Sequence, residues 1–100
     1  DSSGNFALLQ ACTYGHVSVM DMLLQSGADV NAQNEGGKTA LISAAWLGQV
    51  QTVVLLLQAG ADVNMYDEFG LTALMRAASS NHSAVVDVLL QAGADVHMQS

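Results

Sequence analysis

The chain has no proline, a single cysteine, five aromatic residues and only two cations in 100 residues. Each shortage excludes something. With Cys12 alone, no intramolecular disulfide and no cysteine-based metal cluster can form. That usage suits a reducing compartment. With only Lys38 and Arg76 against nine acids, the net charge is -7. Such a surface repels phosphate backbones, so nucleic-acid binding is not expected, and a partner bringing lysine or arginine is favoured. The longest apolar run is Val53-Val54-Leu55-Leu56-Leu57, far short of the ~20 residues of a membrane span. No basic-then-apolar secretory leader is apparent. The expected location is therefore intracellular, cytoplasmic or nuclear, without membrane insertion.

What is abundant is aliphatic, small and periodic. Leu23-Leu24-Gln25-Ser26-Gly27-Ala28-Asp29-Val30-Asn31 recurs as Leu56-Leu57-Gln58-Ala59-Gly60-Ala61-Asp62-Val63-Asn64 and again as Leu89-Leu90-Gln91-Ala92-Gly93-Ala94-Asp95-Val96-His97. Gly27, Gly60 and Gly93 are spaced by 33 and 33. A fixed period of that size signals stacked structural repeats. Three units follow, at about 1–33, 34–66 and 67–99, each opening at a turn phase with Gly4, Gly37 or Gly70 three residues on. A stretch cut at one repeated phase is expected to be part of a longer array.

In the second unit, Thr39 is positioned to cap a helix over Ala40–Leu47, its hydroxyl accepting from first-turn N–H groups. Gly48 ends that helix and Gly60 ends the next, which runs from Val50 to Ala59; glycine enters the left-handed region without steric cost. The third unit repeats the pattern with Thr72, Ala73–Ser80 and Ser83–Ala92. There Asn81 stands where Gly15 and Gly48 stand elsewhere, as the next-best residue for that conformation. The first unit predicts helices over Ala7–Tyr14 and Val17–Ser26, with Phe6 in the capping place and a less clean start. Two helices joined by so short a loop are antiparallel neighbours. Ala11, Ala44 and Ala77, followed by Cys12, Ala45 and Ala78, allow close approach between first helices of adjacent units. Met20-Leu23-Leu24, Val53-Leu56-Leu57 and Val86-Leu89-Leu90 supply apolar faces that only stacking can bury.

These residues resemble the ankyrin repeat over the whole chain. The resemblance rests on Thr39-Ala40-Leu41-Ile42 and Thr72-Ala73-Leu74-Met75, on Gly15-His16, and on three Gly-Ala-Asp-Val turns. It departs from the family in two ways: alanine replaces the helix-opening proline in every unit, and Leu9, Ile42 and Met75 replace the histidine. The fold implied is an all-α solenoid of antiparallel helix pairs with β-turn or hairpin connections. The function implied is a non-catalytic scaffold that binds a partner peptide or domain through its concave face and turn tips. A structural spacer or assembly segment of a larger protein is the alternative. No cofactor, metal or catalytic group is expected.

The family's variable contact positions match the turn residues Ser2, Ser3, Asn5, Glu35, Gly36, Lys38, Glu68, Phe69 and Leu71. At the ends of the first helices they match Thr13, Tyr14, Trp46, Leu47, Ser79 and Ser80, and before each turn Gln33, Tyr66 and Gln99. Four of the five aromatics, Tyr14, Trp46, Tyr66 and Phe69, fall on such positions. Aromatics carry binding energy well; the plainer reading is that they only cover neighbouring repeats. The partner-binding set expected is Tyr14, Glu35, Lys38, Trp46, Leu47, Tyr66, Glu68, Phe69, Leu71 and Arg76. It describes an aromatic floor around Trp46 with an acidic rim of Glu35, Asp67 and Glu68, suited to a protein or peptide with an apolar anchor and basic residues. Arg76 is expected either to meet a partner carboxylate or to pair with Glu68 or Glu35.

His16 and His82 are read as bridges between loops, His97 as a turn residue, and Cys12 as a small buried hydrophobe. Asp29, Asp62 and Asp95 recur with the turn and read as structural. The resemblance also marks Asn31 and Asn64, each in an Asp-Val-Asn with a leucine upstream, as candidates for asparaginyl hydroxylation. The alternative is that they bridge turn backbone. The terminal units carry Leu8, Leu9, Val19, Met22, Val85, Val88 and Leu89 rather than polar caps, so self-association through the ends is expected.

Overall fold

The computed structural model describes residues 2–96, which form six helices stacked in pairs. These are α1 (Ser2–Thr13), α2 (Val17–Gln25), α3 (Ala40–Leu47), α4 (Val50–Gln58), α5 (Ala73–Ser79) and α6 (Ser83–Gln91). Each odd helix packs against the even helix that follows it, and α1, α3 and α5 form one row. The core runs between the rows and is mostly apolar: Leu8, Met20, Leu41, Ile42, Val53, Leu56, Val85 and Leu89 are sealed from water, with Thr52 among the buried polar residues. Ala11, Ala44 and Ala77 are buried where the odd helices touch. Ala78 is exposed while Cys12 and Ala45 are not, because no described unit lies against α5 on that side.

The helix ends follow from local chemistry. Thr39 and Thr72 hold extended backbones, and their hydroxyls accept from Ile42 N–H at 3.2 Å and Met75 N–H at 3.3 Å. Gly15, Gly48 and Asn81 take left-handed φ of 69°, 77° and 62° at the loop between paired helices. Gly48 is doubly constrained: a Cβ there would lie 2.6 Å from His82 Nδ1. A Gly48→Ala variant is therefore expected to lose about 2 kcal/mol, from left-handed strain and displacement of the imidazole. Chemical denaturation monitored by circular dichroism checks this; a loss within error of zero would contradict it.

The first unit departs from expectation. Helix α1 begins at Ser2, not Ala7, so Ser2, Ser3 and Asn5 lie on a helix rather than in a turn. The reason is the residue at the capping phase. Thr39 and Thr72 end their helices by offering an oxygen from extended backbone; Phe6 offers none, so nothing stops the helix from running back toward the N-terminus.

Residues 33–39 and 66–72 form two hairpins that stack. In the first, Asn34 N–H donates to the Lys38 carbonyl, and Asn34 Oδ1 accepts from Gly36 and Lys38 N–H. In the second, Asp67 N–H donates to the Leu71 carbonyl, and Asp67 Oδ1 accepts from Phe69 and Leu71 N–H. Glu68 N–H donates to the Gly36 carbonyl at 2.8 Å, joining the hairpins. Gly37, at φ 75°, leaves room for this approach, since a Cβ there would lie 3.0 Å from Glu68 N. Gln33 Nε2 reinforces the stack by donating to the carbonyls of Gly37 and Tyr66.

A second ladder runs along the loops after the even helices, just before the hairpins in the chain. Asn31 Oδ1 accepts from Asp62 N–H at 2.7 Å, and Asn64 Oδ1 from Asp95 N–H at 2.9 Å. Asp29 and Asp62 each close a local turn onto the N–H two residues on. Asn5, on α1, supplies the missing first rung by accepting from Asp29 N–H at 2.8 Å. No described helix is long and apolar enough to cross a membrane.

Candidate functional site

Trp46 is at the centre of the surface where the odd helices and hairpins meet. It lies in the last turn of α3 and remains 37% exposed. Both cations of the chain lie over its indole: the Arg76 guanidinium carbon at 3.8 Å from the ring centroid and Lys38 Nζ at 4.6 Å. Cations are drawn to the negative face of an aromatic ring, indole most strongly. Arg76 comes from α5 in the next unit, and Lys38 from the hairpin before α3. A hollow of about 300 Å³, lined by Thr13, Lys38, Ser43, Trp46 and Leu47, opens beside the indole toward the first unit.

The arginine is not free. Its Nε and Nη2 both donate to Asp67 Oδ2, at 3.1 and 2.7 Å. Asp67 is buried, at 4% exposure. Burial alone would raise its pKa. The Arg76 hydrogen bonds, the N–H groups of Leu71 and Phe69, and the Arg76 charge outweigh burial and hold the carboxyl below its ordinary value. The guanidinium also lies 6.0 Å from the Phe69 ring centroid. Asp67, Arg76, Trp46 and Lys38 thus form one connected arrangement that fixes the indole in place.

This corrects several expectations. Asp67 is no part of a solvated rim; Glu35 and Glu68 alone remain exposed at the tips. Arg76 pairs with Asp67, not with Glu68 or Glu35. Leu71 is half-buried and its backbone closes the hairpin onto Asp67. Lys38, Trp46, Leu47, Phe69 and Arg76 belong to one region, with Leu47 and Phe69 well exposed. Tyr66 is exposed at the start of the second hairpin, its backbone bridged to Thr72. Tyr14 lies apart, at the α1–α2 loop, stacked on His16 at 6.0 Å.

The Arg76–Asp67 pair had a legible signal. The two positions are nine residues apart, and the second unit places Asn34 and Ser43 there. Only the third unit carries acid and base together along with its neighbour's tryptophan.

His82 bridges loops as expected. Its Nε2 lies 3.0 Å from the Trp46 carbonyl, which can only accept, so the ring proton belongs on Nε2. Gln49 does the same from the second unit, donating to the Thr13 carbonyl at 2.9 Å. His16 meets no earlier unit and stacks on Tyr14 instead. His97 and Gln99 lie outside the described residues. Cys12 is sealed from water, and burial pushes its thiol pKa up to about 12, so it stays protonated and inert. Asn31 and Asn64 spend their carboxamide oxygens in the ladder. Of the terminal apolar residues, Leu8, Val85 and Leu89 are buried, whereas Phe6, Val19, Met22, Leu90 and Val96 are exposed. Among the described residues no group of three or more His, Cys, Asp or Glu side chains could hold a metal ion.

Comparison with known proteins agrees with this architecture. A family model described as ankyrin repeats (3 copies) matches residues 8–100. The chain is also similar to the human protein SH3 and multiple ankyrin repeat domains protein 2, 49% identical over 39 residues. That match takes in 39% of the chain but only 2% of the relative. With three helix pairs in 33-residue register and a family match over nearly its whole length, the chain belongs to the ankyrin-repeat family.

Proposed function

We propose that this chain is a non-catalytic protein-interaction segment whose recognition surface is centred on Trp46. The observation that carries the reading is an indole left partly open to solvent yet held by Arg76 and Lys38. A large side chain ordered before binding contributes its contact area at little further entropy cost. Leu47, Tyr66 and Phe69 extend the apolar surface, while Glu35 and Glu68 stand at the hairpin tips. Lys38 and Arg76 serve the surface by orienting the indole, and Tyr14 offers a separate contact at the α1–α2 loop. The partner class that fits is a peptide or loop with an apolar anchor and basic residues meeting the exposed carboxylates. A single cysteine without a disulfide partner suits a reducing, intracellular setting, cytoplasmic or nuclear.

Affinity capture with the chain as bait, followed by titration of the recovered partner, tests this. Trp46→Ala is expected to weaken binding by about thirtyfold, the effect of losing one aromatic hot spot. Unchanged affinity with an unchanged circular dichroism spectrum would overturn the proposal.

A further inference from the structure

The hollow beside Trp46 has a cause in the repeat. Thr13, Trp46 and Ser79 share one position in the three units, and Gln10, Ser43 and Arg76 share another. Between the second and third units the Trp46 indole packs against Arg76, with the guanidinium carbon 3.8 Å from the ring centroid. Between the first and second units the same place holds the small Thr13, and about 300 Å³ is left open. The lining of that space is unlike the rest of the chain. Among the described residues around it, Thr13, Lys38, Ser43, Trp46 and Leu47, none is acidic. Lys38 is half-buried and makes no ion pair among the described residues; its ammonium lies only over the indole. The Ser43 hydroxyl, also half-buried, has no hydrogen-bond partner among them. Thr13 Oγ1 already donates to the Leu9 carbonyl at 2.8 Å. The hollow therefore offers an apolar wall of Trp46 and Leu47 and two unspent donors, one of them charged.

We infer that this hollow takes the C-terminal residue of a partner protein, an apolar residue whose free carboxylate pairs with Lys38 and accepts from the Ser43 hydroxyl. Its side chain packs on Trp46 and Leu47. The inference rests on the Trp46 reading above and names the anchor which that surface takes. Charge selects a monoanion. Arg76 is spent on Asp67, so Lys38 alone is open to a ligand, and a phosphate dianion would leave excess negative charge on a chain already at -7. Distance selects a chain terminus. Lys38 Nζ is 4.6 Å from the indole centroid, so the ligand's charge and its apolar group must lie close together. In a C-terminal residue both are attached to one Cα. An internal Asp or Glu must borrow the apolar group from a neighbour, and neighbours in an extended segment point to opposite faces. Capture of a terminal carboxylate is a general mode of peptide recognition. Repulsion from acids beyond about 8 Å is screened at physiological salt, whereas the contact with Lys38 is direct.

The peptide acetyl-Ala-Ala-Leu with a free carboxylate, its C-terminal amide, and acetyl-Ala-Leu-Glu-Ala-amide are titrated into the ¹⁵N-labelled chain to tens of millimolar. The free acid is expected to shift the Trp46 indole N–H and Ser43 amide resonances, and to bind about tenfold more tightly than the amide, the effect of one charged hydrogen bond. Lys38→Met should weaken the free acid about tenfold and leave the amide unchanged, a coupling that a purely structural role of Lys38 would not produce. Lys38→Arg should keep the preference for the acid. Thr13→Trp, which fills the hollow as Trp46 fills the next one, should abolish the shifts with the circular dichroism spectrum unchanged. Equal binding of acid and amide, equal effects of Lys38→Met on both, or shifts that persist in Thr13→Trp would overturn the inference. So would equal binding of the internal glutamate peptide, which assigns the hollow to a side-chain carboxylate, or tighter binding of inorganic phosphate. If no peptide shifts Ser43 while Trp46→Ala still weakens a captured partner, the inference falls and the Trp46 surface stands.

Discussion

Replacing Asp67 with alanine is expected to remove about 3 kcal/mol of stability, because the change strands a charge and two backbone donors together. Arg76 loses both of its hydrogen bonds, and Phe69 and Leu71 N–H lose their acceptor. Asp67→Asn separates these effects. Asn34 already closes the neighbouring hairpin with an amide oxygen, so asparagine preserves the turn and loses only the ion pair. Its cost should be about half that of alanine, and adding Arg76→Met should recover part of it, since the uncompensated cation is then gone. Urea denaturation followed by the fluorescence of Trp46 reads all three variants. The same probe should report a change in folded-state emission once Arg76 is released from the indole. A cost below about 1 kcal/mol for alanine would show that the pair is no more than a surface contact.

The pair also predicts an acid limit. The folded-state pKa of Asp67 lies below its ordinary value of 3.8. A carboxylate shifted downward binds its proton more weakly in the folded chain than in the unfolded one. Its contribution is therefore complete above that ordinary value and is lost as pH falls through the lower folded-state value. Asp67→Asn should flatten this acid dependence, which unfolding midpoints measured across the acid range will show.

The second large effect is expected at Leu56. Leucine to alanine there should cost about 4 kcal/mol, as for other fully buried leucines whose sites cannot collapse. Leu23 occupies the same place in the first unit and the same Leu-Leu-Gln sequence, yet it is only partly buried. Helix α2 stands apart from α4 at a hollow of about 290 Å³ lined in part by Met20, Leu24, Leu55 and Ala59. Leu23→Ala should accordingly cost about 2 kcal/mol, because less of its surface is withdrawn from water. Equal losses in denaturant titrations would mean that the first unit is packed as tightly as the second.

The fold is largely legible in the sequence, the candidate surface much less so. The 33-residue period, Thr39 and Thr72 as caps, and Gly48 and Asn81 as helix stops depend on interactions within four or five residues, so the local sequence contains all their terms. Phe6 at the capping phase predicts a weak helix start. How far the helix then ran, to Ser2, depended on the absence of any competing turn. Trp46, Leu47 and Phe69 could be assigned to the surface by phase alone. The pairing of Arg76 with Asp67 was signalled only by an acid and a base nine residues apart in the third unit, a spacing that does not by itself decide against the neighbouring turn acids Glu68 and Glu35.

By itself, then, the sequence determined the repeat: its length, its helix pairs, their ends, and the small residues that let the pairs stack. Those features arise from backbone conformation and short-range hydrogen bonds, which neighbouring residues dictate. Only the tertiary structure decided what the surface is. It laid two cations from different segments over one indole and buried Asp67 against one of them, Arg76. Such contacts join residues separated along the chain, and their energies depend on distances and burial that exist only once the units are stacked.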